Sequence, residues 1–137
     1  MNNSSPIPQW EPKHDVISKS ADMPAGNEDQ CFVLSFRYYS YKKCEIDFLE
    51  KNRAREALKV LKNVGKSTIN TLRDNHIDKI PVSPNGEYSS LFKGLPPDFD
   101  VFEHKIQGDS RLFYSYSDQV FYIVLIKNNH FDTSKTR

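Results

Sequence analysis

The chain has 137 residues, enough for one domain whose core needs no metal or disulfide staple. With 37% hydrophobic, 27% charged and 12% aromatic residues, its composition excludes disorder throughout. No apolar run approaches the roughly 20 residues of a membrane span, and Met1 to Pro6 carry neither a basic nor an apolar signal region. A cytoplasmic protein without a membrane partner is therefore expected.

The formal net charge is +1, unevenly spread. Residues 1–30 carry two Lys and five Asp/Glu, net −3, whereas residues 31–137 carry 17 Lys/Arg and 13 Asp/Glu, net +4. The second part is basic enough to permit a nucleic-acid partner. Cys31 and Cys44 have no metal-ligand spacing, and both are expected to be reduced thiols in or near the core.

Residues 1–30 hold Pro6, Pro8, Pro12 and Pro24 among Asn, Ser, Asp and Glu, without sustained periodicity. They read as a loose N-terminal arm, in which Trp10 either docks back onto a domain at 31–137 or awaits a partner. From Cys31 to Tyr39, Phe32, Leu34, Phe36 and Tyr38 share one parity, which predicts a strand. Asp47 and Glu50 have capping-box spacing. Ala54, Ala57, Leu58, Leu61 and Val64 then form one apolar helix face, and Gly65 suits a left-handed end. A second, shorter helix is expected from about Ser67 to Asn75, making a helix hairpin.

Residues 76–100 are rich in Pro and Gly and read as irregular, with Ile80-Pro81-Val82 as a short extended piece. Three strands close the domain. Val101–Ile106 alternates, Ser110–Ser117 follows the turn at Gln107-Gly108-Asp109, and Val120–Ile126 is apolar throughout, as in a central strand. The fold class is thus α+β: an N-terminal strand, a helix hairpin and a three-stranded antiparallel meander. The helices are expected to cover one sheet face and leave the other free.

Three segments carry a family resemblance. Leu91-Phe92-Lys93-Gly94-Leu95, Gly108-Asp109-Ser110-Arg111-Leu112-Phe113-Tyr114, and Val120–Ile126 followed by Asn129-His130-Phe131 resemble, in order and spacing, segments of the RelE/ParE toxin superfamily. The resemblance spans residues 31–131 and is greatest to the RelE/YoeB-like mRNA interferase branch, although Phe131 stands where YoeB has Tyr.

The resemblance implies a bacterial toxin-antitoxin component, partnered by an antitoxin protein, that cuts mRNA on the ribosome without a metal or other cofactor. RNA transesterification needs a base for the 2′-OH, a cation for the phosphorane and an acid for the leaving oxygen. Arg111 is the candidate cation, because its guanidinium can fork onto two phosphate oxygens; a surface pairing with Asp109 or Asp118 is the alternative. His130 is the candidate acid or base. Lys105 and Glu103 complete the catalytic candidates. Lys93, His104, Tyr114 and Phe131 are candidate RNA contacts, the aromatic rings through base stacking or, alternatively, through cross-strand pairing with each other. Parity places His104 and Lys105 on opposite sheet faces. The rival reading is a non-catalytic RelE/ParE-like binding module or an inhibitor of a partner protein of topoisomerase type.

Overall fold

A computed structural model describes residues 30–129. The expected arm over residues 1–29, Trp10 included, and the tail from His130 onward lie outside the described residues.

Five strands form one sheet in the order β1-β5-β4-β3-β2. They are β1 (Val33–Ser35), β2 (Ile80–Pro81), β3 (Phe102–Lys105), β4 (Arg111–Ser117) and β5 (Val120–Lys127), with α1 (Lys51–Gly65) between β1 and β2. β1 joins β5 in parallel, and the other neighbours are antiparallel. The α+β class and the closing meander are as expected, and the extended piece at Ile80-Pro81 adds a strand to the meander's edge.

The core lies on both sheet faces. On one, Val60 and Val64 of α1 pack with Leu72, Ile77, Leu112, Tyr114, Phe121, Ile123 and Ile126. On the other, Leu91 packs with Val101, Phe113, Val124 and Leu125. β5 serves both because of a bulge. Phe113 opposes Leu125 and Tyr114 opposes Ile123, so Val124 has no partner across the ladder. Val124 and Leu125 then face the second cluster, while Ile123 and Ile126 face the first.

The second face is therefore not free. A 3-10 helix, Gly86–Phe92, lies in the segment expected to be irregular and seats Leu91 on the sheet. Tyr88, Leu91 and Phe92 stand at helical spacing, but the run is only seven residues long and lies among Pro and Gly, so the segment reads as irregular in the sequence.

The expected helix hairpin is also corrected: α1 is followed by a run of turns. Here polar side chains take the bonds a helix would need. Ser67 Oγ donates to the Asn63 carbonyl at 2.5 Å, and the Thr68 amide donates to Thr71 Oγ1 at 2.7 Å. Asn75 Nδ2 donates to Ser67 Oγ at 2.7 Å. Such local bonds compete with helical ones.

α1 starts at Lys51, not at Asp47, which belongs to a separate 3-10 turn, Ile46–Phe48. Glu50 is the extended cap residue and makes no side-chain cap bond, so no capping box forms. Gly65 ends α1 without a left-handed φ, and Leu58 points to solvent. β1 is shorter than expected because the chain turns after Ser35. Ser35 Oγ accepts the Arg37 amide at 3.2 Å, and the Tyr39 amide bonds the Phe36 carbonyl at 3.0 Å. Both cysteines are free, but Cys31 is exposed, whereas the half-buried Cys44 shares a hydrogen bond with the Tyr39 hydroxyl. Among the described residues, no helix is long and apolar enough to cross a membrane.

Candidate nucleic-acid interface

Strand register brings three cations together. Lys105 opposes Arg111 across β3–β4, and Arg111 opposes Lys127 across β4–β5. Directly opposed residues share a sheet face with Cα atoms about 4.5–5.5 Å apart. The three cations therefore form a row across the strands, on the face carrying Phe113 and Leu125. Like charges so placed repel one another, and two carboxylates relieve the repulsion. Glu103 Oε2 accepts from Arg111 Nε at 2.9 Å, and Glu45 Oε2 accepts from Lys127 Nζ at 3.0 Å.

The guanidinium is well fixed. Arg111 Nη1 also donates to the carbonyls of Gly108 at 2.8 Å and Ser110 at 3.1 Å. Thus Arg111 is paired, as the alternative reading had it, but with Glu103 rather than Asp109 or Asp118. The side chains of Arg111 and Lys127 remain only 16% and 15% exposed, while Lys105 is exposed.

The strand end beside this row is clamped by side chains. Glu45 Oε1 accepts the Asn128 amide at 3.0 Å. From α1, Arg53 Nη1 donates to the Asn128 carbonyl at 3.1 Å and to its Oδ1 at 3.2 Å. The same guanidinium crosses the β3–β4 turn, where a Cβ on Gly108 would sit 2.6 Å from Arg53 Nη2. Gly108 has φ of +58°, so glycine serves both the turn and the crossing. Burial would raise the Glu45 pKa, but the bonds from Lys127 and Asn128 outweigh it and hold the carboxyl below its ordinary range.

Next to Lys127 opens a groove of about 380 Å³, lined by Lys42, Lys43, Cys44, Glu45, Phe48, Leu125 and Lys127. Lys42, Lys43, Glu45, Phe48, Arg53 and Lys127 were not among the sequence candidates. Only the register and the folding of residues 41–48 against β5 bring them here. The lysine pair at 42–43 was the one local signal available.

The other candidates separate by face. Glu103, Lys105 and Arg111 stand together on the cationic face. Lys93 is exposed and directly follows the 3-10 helix that packs on that face.

His104 and Tyr114 face the opposite way, into the core beneath α1, and are 5% and 0% exposed. His104 Nδ1 accepts the Asp78 amide at 3.0 Å and lies 3.3 Å from the Asp78 carboxylate. Tyr114 donates its hydroxyl to the Asp78 carbonyl at 2.5 Å and stacks on Phe121 at 4.3 Å. Burial pushes the Tyr114 phenol well above its ordinary pKa. Neither side chain is open to a base, which corrects their expected role as RNA contacts: both pin the segment leading into β2. His130 and Phe131 lie outside the described residues.

A larger groove, about 700 Å³, runs along the β2 edge past Arg73, His76 and Lys79. Among the described residues, no group of three or more His, Cys, Asp or Glu could hold a metal ion.

No family model matches the chain, and no curated protein matches it. A chain in the crystal structure of the archaeal RelE–RelB complex from Pyrococcus horikoshii OT3 is similar in shape, with a TM-score of 0.43 and 18% identity. The match covers 72% of this chain and 93% of that one.

Proposed function

We propose that the chain is the toxin component of a toxin-antitoxin pair, a metal-independent endoribonuclease acting on mRNA at the ribosome in the cytoplasm. One observation carries this reading: Lys105, Arg111 and Lys127 stand in register on one face, at the end of the sheet that holds the toxin-like Gly108–Tyr114 segment. Glu103 and Glu45 offset two of the three charges, and the exposed Lys105 leaves a net positive charge at this end for an RNA phosphate to meet.

In the proposed reaction a base takes the 2′-OH proton. The 2′ oxygen then bonds to the adjacent phosphorus, the bond from phosphorus to the 5′ oxygen breaks, and an acid protonates that oxygen. The products are a 2′,3′-cyclic phosphate and a 5′-hydroxyl. Arg111 stabilises the charge on the phosphorane, and Lys105, Lys127 and Lys93 hold flanking phosphates. Glu103 orients the guanidinium and offers a proton acceptor in contact with it. His130, three residues after Lys127 in the sequence, moves the proton to the leaving oxygen.

The test is purified full chain with mRNA and ribosomes. Cyclic-phosphate ends are expected from the wild type and not from Arg111→Ala or His130→Gln, provided both variants keep the wild-type melting temperature. Intact RNA with the wild type, or cleavage by both variants, overturns the reading.

A second reading has its own support. The three bonds fixing Arg111, and its small exposed fraction, suit a structural arginine on a non-catalytic module that binds an antitoxin or inhibits another protein. Intact cellular RNA during growth arrest would favour that module.

A further inference from the structure

We propose that the groove beside Lys127 is a nucleotide subsite for single-stranded RNA, in which Phe48 stacks on an unpaired base while Lys42, Lys43 and Lys127 hold its phosphates. This rests on the RNA-binding reading above and names the part of the substrate that the cation row does not explain.

Phe48 ends the Ile46–Phe48 turn, and the chain then turns Leu49 inward against the first core cluster. The phenyl ring is left 66% exposed. This ring forgoes burial that the neighbouring leucine takes. It lines one groove with Lys42, Lys43 and the Lys127–Glu45 ion pair, so Lys42 and Lys43 carry the groove's net positive charge. An aromatic face beside lysines matches the two parts of an unpaired nucleotide: a ring to stack and a phosphate to neutralise. A duplex hides its base faces and offers the ring nothing. Lys127 belongs both to this groove and to the cation row, so a strand seated here would continue onto Arg111 and Lys105. The buried Tyr114 cannot supply such a platform.

The experiment is equilibrium binding of the full chain to a labelled, fully 2′-O-methylated single-stranded RNA, which cannot be cleaved through its 2′ oxygens. Phe48→Ala is expected to bind about ten-fold more weakly, as loss of one stacked base implies, while Phe48→Trp retains affinity. An abasic ribose-phosphate chain of equal length should bind wild type and Phe48→Ala alike, and Lys42→Ala/Lys43→Ala should weaken both ligands. The inference is overturned if Phe48→Ala binds the RNA as tightly as wild type, or if it loses affinity equally for the abasic chain. It is also overturned if duplex RNA shows the same dependence on Phe48. A wild-type chain that binds RNA but never cleaves it removes the nuclease reading and leaves the subsite standing. A wild-type chain that binds no RNA removes the subsite, and cleavage of mRNA with ribosomes present then decides the nuclease reading separately.

Discussion

Arg111 illustrates how far parity reaches at the scale of the residue. Alternation along β4 already separates Arg111, Phe113 and Ser115 from Leu112, Tyr114 and Tyr116, and the structure keeps that division. It likewise separates His104 from Lys105. Parity does not say which side a helix will cover, so buried and open candidates looked equivalent in the sequence. Nor does it reveal that Glu103, eight positions away, would take Arg111 Nε. In the proposed reaction Arg111→Ala should lower the cleavage rate about 10²–10³-fold, the usual cost of one preorganised charge-stabilising donor. Arg111→Lys should recover only part, because an ammonium cannot fork. Single-turnover rates on one mRNA check both.

His104 gives a pH prediction. Burial depresses its pKa, and the Asp78 carboxylate at 3.3 Å opposes that only in part, so the folded chain binds the imidazole proton more weakly than the unfolded chain does. The unfolded chain takes up the proton near its ordinary value of about 6.5. Below that pH the unfolded state binds more protons, so stability falls as pH drops and is fully present above it. Denaturant midpoints should therefore decline from about pH 7 to about pH 5, and His104→Asn should flatten that decline. An unchanged slope would place the titration elsewhere.

At the scale of the element, strands with clear alternation or continuous apolar character were legible. Elements whose backbone bonds depend on side chains were not. β3, β4 and β5 follow their patterns to within a residue or two. The helix expected at 67–75 fails because Ser67, Thr68, Thr71 and Asn75 bond locally. Its apolar residues pack regardless: Leu72 is fully buried, so Leu72→Ala should cost about 2–5 kcal/mol in chemical denaturation. The β3–β4 turn carries a second prediction. Gly108→Ala meets both a left-handed φ and the Arg53 guanidinium. A loss of about 1–3 kcal/mol is expected from the backbone alone. Part of the excess should disappear in an Arg53→Met background, because the crossing guanidinium is gone. A double-mutant cycle measures that coupling.

For the molecule as a whole, the sheet separates two tasks. One face is sealed by α1 and the turns after it. The other is sealed at its centre by the 3-10 helix and remains cationic at the end where Lys105, Arg111 and Lys127 line up. The basic excess of residues 31–137 hinted at such a face, but overall charge carries no position, and only strand register concentrates it. Concentration has a cost in stability. Lys105→Gln should raise stability by about 0.2–1 kcal/mol while weakening RNA binding, since it removes one of three opposed cations.

The central claim, that this row meets an RNA backbone, is tested most directly by the salt dependence of binding to uncleavable single-stranded RNA. Each phosphate neutralised contributes about 0.7 to the slope of log affinity against log salt. The wild type should show a slope that falls by about that amount in each of Lys105→Ala, Arg111→Ala and Lys127→Ala. Equal slopes in the wild type and all three variants would contradict the account.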